Sequence, residues 1–145
     1  MEIPCAYRFL NIKINQFAYF DENFDRQNHE LNIARSYSYG IDANTGHFQC
    51  VMSLTYTQNE KPVMKIETEA VYQLTEEVME RLINDNMFQM PPQTVRYFTS
   101  MLYGATRGIL VCKLEGTPLV NIILPPDNLE STIDRPLVIP INEEL

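Results

Sequence analysis

Side chains that could do chemistry are sparse in this 145-residue chain. Its two histidines, His29 and His47, stand in a polar stretch and just after a turn, and neither has a second ligand at the spacing a metal site needs. The three cysteines, Cys5, Cys50 and Cys112, are odd in number, far apart and without a CxxC pair. They predict idle or buried thiols rather than a disulfide framework or a zinc knuckle. Asp21, Glu22 and Asp25, near His29, read as a solvated acidic loop. No GxSxG, phosphate-binding loop or dinucleotide fingerprint occurs. The sequence therefore predicts no catalysis, no metal and no cofactor.

Lys and Arg number 11 against 19 Asp and Glu, so the net charge is 11 − 19 = −8, and no basic cluster stands out. Nucleic acid is excluded as an expected partner, because binding it needs a cationic surface that displaces counterions. A basic protein partner is compatible with this charge. Apolar residues make up 45% of the chain, yet no run approaches the ~18 residues of a membrane span. "MEIPCAYRF" carries Glu2 where a secretory signal would carry positive charge and lacks an apolar stretch with a cleavage site. A soluble, cytoplasmic, single domain over residues 1–145 is expected, with 135–145 as an extended tail.

The elements follow from hydrophobic period. From Tyr7 to Phe20 the even positions Leu10, Ile12, Ile14, Ala18 and Phe20 are apolar, which predicts a long half-buried strand. "DENFDRQNHE", Asp21 to Glu30, reads as a crossover loop. Leu31, Ile33, Tyr37, Tyr39 and Ile41 alternate as a second strand, and "DANTG" turns the chain. Phe48, Cys50, Met52, Leu54 and Tyr56 mark a third strand. After "QNEKP", Met64, Ile66, Ala70, Tyr72 and Leu74 mark a fourth, whose other face shows Lys65, Glu67 and Glu69. Thr75 is a suitable N-cap, with Glu76 and Glu77 in the first turn of a helix bearing Val78, Met79, Leu82 and Ile83. Pro91 and Pro92 stop that segment and open a long helix to about Glu115.

Val95, Phe98, Leu102, Ala105, Ile109 and Cys112 form the apolar stripe of the long helix, and Met101, Leu110, Val111 and Leu114 widen it. That is more apolar surface than a single four-stranded sheet covers. Gly104 and Gly108 lie inside the helix, where each costs about 1 kcal/mol relative to alanine. They predict either a close approach by another backbone or a tight fit beneath the helix's own sheet. Phe98, Met101, Gly104, Gly108 and Val111 are accordingly the expected oligomer interface. Gly116 ends the helix, Asp127 or Asn128 caps a final short turn, and Pro136 and Pro140 limit the tail. The fold class is α+β, a four-stranded antiparallel sheet with a long helix packed on one face.

These elements, the helix entered through "YGATRG" and the ordered segment "EGTPLVNIILPPDN" resemble the bacterial SecB chaperones and SecB-like proteins. The layout covers about Tyr7 to Ile133. The specific signature is Tyr103, Ala105, Arg107, Gly116, Thr117, Pro118, Asn121, Pro125 and Asn128. The resemblance implies a homotetramer, a dimer of dimers with long helices between two eight-stranded sheets. It also implies unfolded polypeptide clients held in lateral hydrophobic grooves without ATP or metal, and delivery of preproteins to the SecA translocation motor. Some relatives instead protect an antitoxin, so a dedicated single-partner protein is the alternative function. The family's best-known members carry a zinc-binding tail that touches SecA, and "IDRPLVIPINEEL" has no Cys or His. Glu67 and Glu69 on the sheet face take its place as candidate motor contacts.

A groove that accepts many sequences suits flexible Met and large aromatic side chains. Met87, Phe88 and Met90 in "NDNMFQMPP", together with Phe20 and Phe24 at the crossover, are the expected client-binding residues. The plainer alternative is that apolar residues at a helix end close the core.

Overall fold

The computed structural model describes residues 6–28 and 30–141. Glu2, Cys5, His29 and residues 142–145, on which parts of the sequence reading rest, lie outside the described residues. Four long strands, β1 (Tyr7–Tyr19), β2 (Asn32–Asp42), β3 (His47–Gln58) and β4 (Lys61–Leu74), form an antiparallel sheet in the order β1-β4-β3-β2. Alternate side chains of β3 and β4 are fully buried, including Phe48, Cys50, Met52, Leu54, Met64, Ile66, Ala70 and Tyr72. This period-two pattern is what the sequence predicts for strands with one covered face.

Two tight turns depend on left-handed backbone. Asn59 and Glu60 at the β3–β4 turn have φ of 52° and 64°, the pattern of the two-residue hairpin turn that matches strand twist. Gly46, between β2 and β3, has φ of 76°, and a Cβ there would lie 2.9 Å from the Leu74 carbonyl oxygen. Only glycine fits there.

β1 departs from the expected even-position face. Its register against β4 skips at Leu10 and at Asn15, two bulges that each reverse which side alternate residues face. The side chains on the covered side are therefore Tyr7 and Phe9, then Ile12 and Ile14, then Phe17 and Tyr19, opposite Leu74, Tyr72, Ala70, Thr68, Ile66 and Met64. Ala18 lies opposite Lys65 on the other face, and Phe20 falls just beyond the strand, its N–H bonded to the Val63 carbonyl.

Helix α1 (Glu76–Leu82) begins at Thr75, whose Oγ accepts from Val78 N at 3.3 Å. The connector to the next helix, read only as a stop, is a hairpin: β5 (Ile83–Asn84) and β6 (Met87–Met90) flank Asp85 and Asn86, both at positive φ. β6 also pairs with β7 (Leu137–Pro140), so the expected tail closes a small second sheet in the order β5-β6-β7. Between them in sequence lie the long helix α2 (Pro92–Leu114) and the single turn α3 (Leu129–Thr132).

α2 packs on β3 and β4. Its buried stripe runs Val95, Phe98, Leu102, Thr106, Leu110 and Leu114, the three- and four-residue spacing of a helix face. Cys112, expected on this stripe, is exposed. Thr99 and Thr106 occupy the stripe because their hydroxyls bond back to the carbonyls of Val95 and Leu102, both at 2.7 Å, and meet Tyr39 and Thr68 across the interface. Phe98 sits among Tyr72, Tyr7 and Phe48, at ring-centroid distances of 4.5, 5.1 and 5.4 Å.

That corrects the placement of Phe98 at an oligomer interface: the subunit's own sheet already covers it. Phe98→Ala is expected to cost about 3–5 kcal/mol in urea unfolding, the range for emptying a packed aromatic site. A loss below about 1 kcal/mol would mean that the ring is not part of this core.

Candidate functional site

A cleft opens where the crossover after β1 meets the chain that leaves α2. Gly116, at φ of 79°, ends α2, and the Thr117 hydroxyl bonds the Leu114 carbonyl at 2.7 Å while accepting from Leu119 N at 3.2 Å. From there Leu119, Ile122 and Leu124 turn into the core, whereas Val120 (51% exposed) and Ile123 (70% exposed) face outward. Pro125 and Pro126, which cannot continue a helix, keep the segment extended. Its far end is tied down twice. The Tyr103 hydroxyl donates to the Pro125 carbonyl, and the Tyr37 hydroxyl donates to Asp127 Oδ2 at 2.7 Å, with Arg35 3.9 Å from the other oxygen. Burial, and then the Asp127 bond and charge, push the Tyr37 phenol well above its ordinary range, so it stays a donor.

The opposing wall is Phe24, Arg26 and Asn28 of the crossover. Gln58, buried at the end of β3, holds this loop: its Nε2 donates to the carbonyls of Asp25 and Asn28 at 3.1 and 2.8 Å, and its Oε1 accepts from Asp25 N at 2.7 Å. Leu31, Ile33 and Tyr56 complete the lining with residues 117–123 and Pro125. The cleft encloses about 510 Å³, within the ~300–1,000 Å³ of pockets that bury small groups or side chains.

Of the expected client-binding residues, Phe24 lines this cleft. Phe20 is half-buried at the end of β1 and outside the lining. Met87, Phe88 and Met90 lie elsewhere. Pairing of β6 between β5 and β7 sends alternate side chains to one face, so Phe88 and Met90 are fully buried and Met87 is half-buried. Phe88 stacks near Phe48, with centroids 6.0 Å apart, whereas the cleft abuts Tyr56, eight residues along the same strand. At ~3.3 Å per residue the two places are roughly 26 Å apart. The expectation that Phe88 and Met90 line a groove is thus corrected: they belong to the subunit core. The residues missed are the cleft wall from Thr117 to Pro125, Tyr56, Leu31 and Ile33. The wall carried a signal, apolar Val120 and Ile123 in a proline-ended segment outside any periodic element.

A different surface is bare. A Cβ at Gly104 or Gly108 would meet nothing within 4 Å, so neither glycine is required by packing inside the subunit. Val111, 68% exposed, continues that helix face, and on the covered side of β1 Phe9 and Ile14 are exposed apolar groups. Met101 is half-buried on the same flank, where its Sδ accepts from the Tyr7 hydroxyl at 3.6 Å.

The candidate motor contacts are not a free acidic pair. Glu69 is 7% exposed, ion-paired with Lys13 at 3.2 Å and hydrogen-bonded by Gln49. Glu67 accepts from Ser53 at 3.0 Å and from Asn15 at 3.2 Å, all neutral donors. Burial pushes the Cys50 thiol up to about 12, leaving it protonated. Among the described residues no three His, Cys, Asp or Glu side chains gather to hold a metal ion, and no helix is long and apolar enough to cross a membrane.

The sequence matches no protein-family model and no curated protein. The fold does find likenesses. A Mycobacterium tuberculosis SecB-like chaperone, solved in complex with a ChAD peptide from the HigA1 antitoxin, superposes with a TM-score of 0.55 at 14% identity, over 84% of this chain and 90% of that one. A Streptococcus agalactiae protein of unknown function gives a TM-score of 0.42 at 11% identity, over 84% of this chain and 97% of that one. It carries no argument. The first likeness is one of fold: this chain has the SecB-like α+β architecture.

The Glu69 pair has a consequence for stability. Burial alone would raise its carboxyl, but hydrogen bonds from Gln49, Lys13 and Asn15 and the Lys13 charge outweigh that and hold it below its ordinary 4.5. A carboxyl depressed in the folded state adds stability above its unfolded value and loses it as pH falls through the folded one. Glu69→Gln should therefore unfold at lower temperature than the parent at about pH 6, and the gap should narrow as the pH falls below the carboxyl's ordinary 4.5. A gap that does not change with pH would contradict the assignment.

Proposed function

We propose that this chain is an ATP-independent holdase chaperone of SecB-like type, assembled as a homotetramer in the cytoplasm, that keeps unfolded polypeptides from aggregating. The observation that carries this reading is the open apolar cleft beside the protruding Val120 and Ile123, on a fold whose structural neighbour was solved holding a peptide. Exposed aliphatic groups offer non-directional contacts that many sequences can satisfy. Homotetramer formation would cover the bare flank at Gly104, Gly108 and Val111. Hand-over to a SecA-type motor would use the sheet face at Glu67, because Lys13 neutralises Glu69. The neighbour's antitoxin peptide favours a second reading, a SecB-like protein dedicated to one partner. Binding to a single peptide, with indifference to a panel of unfolded chains, would select that second reading.

The holdase reading is tested by dilution of a chemically denatured model enzyme into buffer without ATP. Equimolar chain is expected to suppress light scattering, Ile123→Asp to lose about tenfold in apparent affinity through loss of one aliphatic contact, and Met87→Asp to retain full activity. Scattering that rises equally with and without the protein would contradict the reading. Loss of activity in Met87→Asp alone would move the site to the other end of the sheet.

A further inference from the structure

At the base of the cleft stands a polar group that the fold leaves unused. Tyr56 lies on the covered side of β3, between Ile33 of β2 and Met64 of β4. It is 1% exposed, lines the cleft, and its hydroxyl has no hydrogen-bond partner among the described residues. Other tyrosines of the subunit behave otherwise: Tyr7 bonds Tyr97, Tyr39 bonds Thr99, Tyr72 bonds Phe98 O, Tyr37 bonds Asp127 and Tyr103 bonds Pro125 O. Buried hydroxyls are nearly always bonded, because leaving one without a partner forfeits its hydration for nothing.

The surroundings say what is wanted. The Tyr56 phenol lies in the field of Tyr103 and of the Arg35 guanidinium, and Arg35 Nε is also buried without an acceptor. Close by, Tyr103 donates to Pro125 O and Tyr37 to Asp127 Oδ2. Burial pushes the Tyr56 phenol up to about 12, so at neutral pH it keeps its proton and can donate. Among the described residues neither donor has an acceptor, and an oxygen brought into the cleft would supply one.

We propose that the Tyr56 hydroxyl is the polar anchor of the cleft, donating to a main-chain carbonyl oxygen of an extended client segment. The carbonyl is the acceptor every polypeptide carries, so this bond grips a client whatever its sequence, while Val120, Ile123 and Phe24 take its apolar side chains. The inference rests on the holdase reading.

The test compares the parent with Tyr56→Phe for binding to reduced, carboxymethylated α-lactalbumin, a permanently unfolded chain, by fluorescence anisotropy, and measures the thermal unfolding of each free protein. Loss of one neutral hydrogen bond should weaken binding by about three- to tenfold. The free variant should unfold at the same or a higher temperature, since a partnerless hydroxyl has been removed. Equal affinities would overturn the anchor and leave the holdase reading standing. Weaker binding accompanied by earlier unfolding would also overturn it, as the hydroxyl would then be structural. A parent that binds no α-lactalbumin would remove both.

Discussion

The width of the sheet is the constraint from which the other features follow. Four strands at about 4.8 Å spacing set the outer two some 14 Å apart, with side chains reaching further, whereas one helix is ~10 Å across. α2 packs on the middle pair, β3 and β4, and there every inward residue is buried. On β1 and β2 the inward residues are at best half-buried. A single helix covers the centre of such a face and leaves both flanks short of cover.

The two flanks are resolved differently. Over β2 the chain supplies its own roof, residues 117–133, held by Tyr37 to Asp127, Tyr103 to Pro125, and Arg96 to the Ile133 carbonyl at 2.7 Å. A roof tied by a few polar contacts, with the single turn α3 as its one regular piece, does not fill the space beneath it as a long second helix would, and the cleft is what is left. Over β1 the described residues supply the rim of α2, where Lys113 rests 5.9 Å from the centre of the Phe17 ring. Apolar β1 residues beside helix glycines with open space above them make a surface to be covered from outside. The cleft and the bare β1 flank are thus both remainders of one mismatch in width.

The sheet and both main helices were legible because their signals are local. Strict alternation in β3 and β4, the Thr75 cap, the prolines opening α2 and Gly116 closing it each act within a few residues. The failures share a cause as well. The bulges at Leu10 and Asn15 change the facing of β1 through its pairing with β4, which alternation within one strand does not register. In "NDNMF" the apolar residues suggest a groove, although Asp85 and Asn86 are suited to a hairpin turn. Only β7, arriving from about fifty residues later, completes the small sheet that buries Phe88 and Met90. The cleft needed the crossover at Phe24 and the segment after α2 to meet across the sheet. Phe24 was anticipated; its opposite wall was read as a family signature rather than as a surface. The excess of apolar surface on α2 is visible in its composition, and Gly104, Gly108 and Val111, expected at an interface, are bare, whereas Phe98, expected with them, is core.

The claim that a mismatched sheet must be completed by further copies of the chain is tested most directly by its mass in solution, measured by light scattering at micromolar concentration. With a chain mass of 16.9 kDa, the account predicts four copies, 4 × 16.9 or about 68 kDa. A particle of 16.9 kDa that stays monomeric as concentration rises would show that the β1 flank is stable in water, and would contradict the account.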